Sequence, residues 1–245
     1  MIFKEEINMN KNDVIAMLER LKSESFFSDF KLKKSDKSLI RKFDWGWQRV
    51  ILDHYNSFDL ERNDLALQVM PNYEIRFNIL HKWFEKFSRR TLSDQRDTYS
   101  IVFNENMLGK SKHFLGFLFL ENRKDYELDY EVMKNDILEH ASHVFNCFKT
   151  INDLYDYKVN DVLKGKKTFP TAGADWIFEG LFMTRIVNPE QYDYVKKLIL
   201  EHVDKLRYRE HPEPNVMIYY DRIPEIISYL ESIPLDNIPL ELIRK

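Results

Sequence analysis

The chain reads as an α+β protein: an antiparallel meander sheet covered by helices, continued by a helical C-terminal portion. Three observations carry this. Apolar side chains recur at helical spacing over residues 14–21 and again through most of the second half, residues 30–77 switch to strand-like alternation with very short connections, and the parallel βαβ alternation that places ligands at a topological switch point is missing. With 245 residues, 44% apolar and 31% charged side chains, 6 Gly, 8 Pro and the single Cys147, the composition supports a sizeable core and excludes disorder, a collagen-like repeat and a disulfide scaffold.

Val14, Met17, Leu18 and Leu21 fall at i, i+3, i+4 and i+7 behind the capping candidates Asn12 and Asp13, which predicts a first helix ending near Ser25. Strands are expected over 30–34, 39–43, 47–55 and 65–70, with Tyr73, Ile75 and Phe77 alternating beyond Pro71-Asn72. The links Ser35-Asp36-Lys37 and Asp44-Trp45-Gly46 are short enough for hairpins. Ile79, Leu80, Trp83, Phe84 and Phe87 restore helical spacing, after which Tyr99, Ile101 and Phe103 alternate and residues 113–120 read as a buried strand, the pair forming a hairpin. Met133, Ile137, Ala141, Val144, Phe148, Ile151 and Tyr155 hold one face, so residues 129–159 are expected to form one long helix, the main cover of the sheet. Lys164-Gly165-Lys166-Lys167-Thr168-Phe169-Pro170 interrupts the pattern and divides the chain into an α+β domain, 1–163, and a mainly helical subdomain, 164–245. Within the latter, helices are expected over 174–185 and, behind Asn188 and Pro189, over 190–208, then a short strand over 216–220 and a last helix over 224–232. Pro234 and Pro239 keep the tail irregular.

The start MIFKEEINMNKND reaches acidic residues before any apolar run, and the longest apolar stretch, 114–120, is far short of the about 20 residues of a spanning helix. A cytoplasmic chain with no membrane partner is expected. Residues 1–125 hold 22 Lys+Arg against 19 Asp+Glu and residues 126–245 hold 15 against 21, so neither half has the strongly basic field of a general nucleic-acid binder. Gly109-Lys110-Ser111 and Gly165-Lys166-Lys167-Thr168 end like phosphate-binding loops, but Asn104 and Asn160 stand where the first glycine is needed. Motifs for dinucleotide binding, serine hydrolysis and zinc proteolysis are missing, and no cofactor is expected.

Lys33-Lys34, Arg41, Trp47-Gln48 and the Trp83-Phe84 helix occur in an order that resembles a small uncharacterised bacterial α+β domain family of unknown function, over about residues 31–87. The resemblance supports the fold and implies no activity.

Three constellations are candidates for chemistry. Asp136, His140, His143 and Cys147 line one helical stripe at i, i+4, i+7 and i+11; each can bind a transition metal, and His140 or His143 can act as acid or base. One straight helix offers only adjacent turns to one ion, so further ligands must come from elsewhere, and a polar flank at the core edge is the simpler expectation. Cys147 in mid-helix lacks the positive helix N-terminus that activates a thiol and is expected to be buried and inert. Asp175 and Glu179, one turn apart at a helix start, form the second, a carboxylate pair for acid–base work or a divalent ion. The third is the binding surface Lys33, Arg41, Trp45, Trp47 and Arg49, where cations interleave with aromatics; a solvated sheet edge has the same composition, and Trp47 on its alternating strand is expected in the core. Two function classes remain. A cytosolic protein-binding module without catalytic activity, such as an immunity protein that neutralises a toxin, is preferred over a metal-assisted or general acid–base enzyme using Asp136, His140 and His143, because nothing assembles nucleophile, base and oxyanion donors. The partner is then another protein, and nucleic acid is not expected.

Overall fold

The computed structural model describes residues 11–59, 64–108, 116–120, 125–170, 175–208, 214–236, 238–239 and 242–243. They form an α+β structure in two compact units, Met1–Arg76 with Tyr99–Cys147 and Phe77–Thr98 with Phe148–Lys245.

The first unit opens with α1 (Lys11–Lys22), whose Val14, Met17, Leu18 and Leu21 are fully buried at the predicted helical spacing. Strands β1 (Lys31–Lys33), β2 (Ser38–Phe43), β3 (Gly46–Asp59) and β4 (Asp64–Phe77) follow as an antiparallel meander. Register fixes the faces: Leu39 lies opposite Val50 and Arg41 opposite Gln48, while Ile40 lies opposite Arg49 and Lys42 opposite Trp47. One face is thus Leu39, Val50, Leu52, Leu67, Val69, Tyr73 and Ile75, all buried, and alternation makes the other mostly polar. Helix α1 packs on β1 to β3. Pro71 does not end β4, which runs through it as one strand of 14 residues.

The expected hairpin after residue 99 takes another form. Between α2 (Asn78–Lys82), α3 (Leu92–Asp97), β5 (Ile101–Asn104), α4 (Glu105–Leu108) and β6 (Phe117–Leu120), the two strands do not pair with each other. Both run antiparallel to β4: Ile101 to Asn104 oppose Ile75 to Asn72, and Phe117 to Leu120 oppose Val69 to Ala66. They are two halves of one interrupted strand, because the partner position advances only from Asn72 to Val69 while the chain runs from Asn104 to Phe117. Proline 71, which has no N–H to give the ladder, falls in that gap. Re-entry requires Gly116: its φ is +87°, and a Cβ there would lie 2.6 Å from the Val69 carbonyl oxygen and 2.8 Å from Met70 Cγ.

Helix α5 (Tyr126–Cys147) packs on β6 and sets His140 against Tyr73 of the apolar face. The single helix expected to reach residue 159 is broken here. Residues 148–150 leave the helix, and Thr150 caps α6 (Ile151–Tyr155) with a reciprocal capping box in which its side chain accepts from the Asp153 N–H and Asp153 accepts from the Thr150 N–H. A π-helical turn, Asp156–Asn160, then leads into α7 (Asp161–Leu163). The compact units therefore divide after Cys147, where the cap starts a new element, instead of at the polar run beginning with Lys164.

In the second unit α8 (Asp175–Val187) is central: Ile177, Phe178, Leu181, Phe182, Met183 and Thr184 are buried, and α2, α6 and α9 (Tyr192–Arg207) pack on it. The expected strand over 216–220 is instead α10 (Pro214–Tyr220), followed by α11 (Ile223–Ser232). Pro214 occupies its first turn, and Val216, Tyr219, Ile223, Ile226 and Leu230 are buried at helical intervals that continue across both helices, overriding the strand preference of Val-Met-Ile-Tyr-Tyr. Among the described residues no helix is long and apolar enough to cross a membrane.

Candidate functional site

The metal stripe separates in space. His140 is buried, its ring edge-on to Tyr73 with centroids 6.0 Å apart, whereas His143 is exposed and Asp136 is half-buried. Cys147, expected in the interior, is exposed because α5 ends there; its Sγ lies 3.8 Å from both ring nitrogens of His143. Among the described residues no three His, Cys, Asp or Glu side chains converge as a metal site.

The proposed binding surface does not form one face. Arg41 points to the helix-covered side, where it donates to Asp29 at 2.9 Å and to Gln48 at 2.6 Å and lies over the Phe30 and Phe43 rings. Trp47 and Arg49 share the opposite face and are buried. The Arg49 guanidinium sits 4.4 Å from the Trp47 ring centroid and donates to the Glu74 carboxylate at 2.6 and 2.7 Å, with Asp36 at 3.9 Å. Trp45, half-buried at the hairpin tip, stacks on Phe43 at 4.6 Å. Lys33 is exposed and held by Asp36, and Lys34 reaches Glu19 at 2.7 Å. Most of these cations are answered by carboxylates of the fold itself, and one aromatic–cation pair is core.

Glu179 is buried on α8 and faces inward, accepting from Lys158 Nζ at 2.7 Å with His81 Nδ1 at 3.5 Å. The side chain of Asp175 lies outside the described residues, so the expected carboxylate pair is not described. Lys158 sits on the π-helical turn and His81 on α2; the cluster ties three elements of the second unit together. No spacing in the sequence could have joined these residues, which come from positions 81, 158 and 179.

A groove of about 460 Å³, lined by described residues of the second unit, was not anticipated. Helix α9 buries Tyr192, Val195, Ile199, Val203 and Leu206, which leaves Lys196, Leu200 and Asp204 as the neighbouring row at i, i+4 and i+8. Helix α11 answers with Ile223, Pro224, Ile227 and Ser228. The trough has an aliphatic floor and closed polar ends: Lys196 pairs with Glu231 at 2.9 Å, and the Tyr220 hydroxyl donates to Asp204 at 2.6 Å. The hydrogen bond to Glu231 raises the Lys196 pKa, and the one to Asp204 raises that of Tyr220.

No protein-family model, curated protein or solved structure matches the chain.

Proposed function

We propose that the chain is a protein-binding module without catalytic activity of its own. The observation that supports this is the groove of α9 and α11, an aliphatic trough between two helices with a polar contact toward each end. Two of the nominated catalytic groups bear other loads: His140 packs in the core and Glu179 pairs with Lys158. An immunity protein, holding a toxin in an inactive complex, is one form of this role. Purified from its native cells with a short tag, the chain should elute from a sizing column with one protein in fixed ratio, and Leu200→Asp should release it. Elution of the chain alone, at every salt concentration tried, would sink the proposal.

A further inference from the structure

We draw no further inference here: the strongest candidate, the aliphatic groove between α9 and α11 of the second unit, carries nothing beyond the protein-binding reading, because its charged groups are engaged by the fold's own side chains, Lys196 with Glu231 and Asp204 with the Tyr220 hydroxyl that Arg207 also meets, and nothing in the structure shows what covers it.

Discussion

Trp47 and Arg49 show how far single residues can be read. Alternation along β3 puts them on one face, and Trp47, expected in the core, is buried, though on the face opposite the apolar one and against Arg49. Alternation could not reveal that Arg49 follows it inside, because the carboxylate that makes its burial tolerable, Glu74, is 25 positions away on β4. Removing one member of a buried pair strands the other's charge, so Arg49→Ala should destabilise by about 3–5 kcal/mol. Arg49→Met combined with Glu74→Leu should recover most of that loss, because the two ions' desolvation disappears together. Urea unfolding of the two single variants and the double closes the cycle; additive losses would show that the pair is not a unit. Asp36 beside them makes a pH prediction. Burial raises its pKa, but hydrogen bonds from Lys33 and Ser35 outweigh this and hold it below the ordinary 3.8. A carboxyl harder to protonate in the fold adds stability above that ordinary value and loses it as pH falls through the folded one. Asp36→Asn should therefore flatten the acid limb of the stability–pH curve below about pH 4 and leave its alkaline limb unchanged.

Elements were legible wherever one period dominated, as in α1 and the β2–β3 hairpin, and misread wherever two elements shared a pattern. Phe148, Ile151 and Tyr155 continue the apolar face of α5 and are all buried, so periodicity alone runs straight through the break at residues 148–150. The signal that marks it was present: Thr150 and Asp153 have the spacing of a capping box. Thr150→Ala should cost about 1 kcal/mol, read from the thermal or urea midpoint, and an unchanged midpoint would mean that the cap is idle. The interrupted strand makes a sharper case. No periodicity distinguishes a hairpin from two collinear halves on one partner, since both alternate in the same way; only backbone space at Gly116 does. Gly116→Ala must place its Cβ against the Val69 carbonyl at positive φ and should cost about 2–4 kcal/mol. Gly165, also at positive φ (+71°), has nothing within 4 Å of such a Cβ, so Gly165→Ala should cost only about 1 kcal/mol. Equal losses at the two glycines would refute the account of re-entry.

At the scale of the molecule, a contiguous cut at residue 164 could not anticipate a unit assembled from two separated segments. What places Phe77–Thr98 with Phe148–Lys245 is aromatic packing between residues roughly a hundred positions apart. Phe84 stacks on Phe178 at 4.7 Å and lies 5.6 Å from Tyr219, Trp83 meets Phe182 at 5.3 Å, and the Arg89 N–H donates to the Tyr219 hydroxyl at 3.2 Å. His81 of the same segment stands against the buried Glu179. A fragment consisting of 148–245 alone therefore lacks the aromatic side chains that cover Phe178, Phe182 and Tyr219, each of which is worth about 1.5–3 kcal/mol when buried. Against the few kcal/mol by which a domain of this size is ordinarily stable, that deficit is decisive. The fragment should bind a hydrophobic dye, show helical circular dichroism without a cooperative melt, and disperse poorly in its proton spectrum. Joining residues 77–98 to it through a flexible Gly-Ser linker should restore a cooperative transition, and Trp83→Ala together with Phe84→Ala in the joined chain should abolish it again. Cooperative melting of 148–245 by itself would show that the discontinuous segment decorates the unit without completing it.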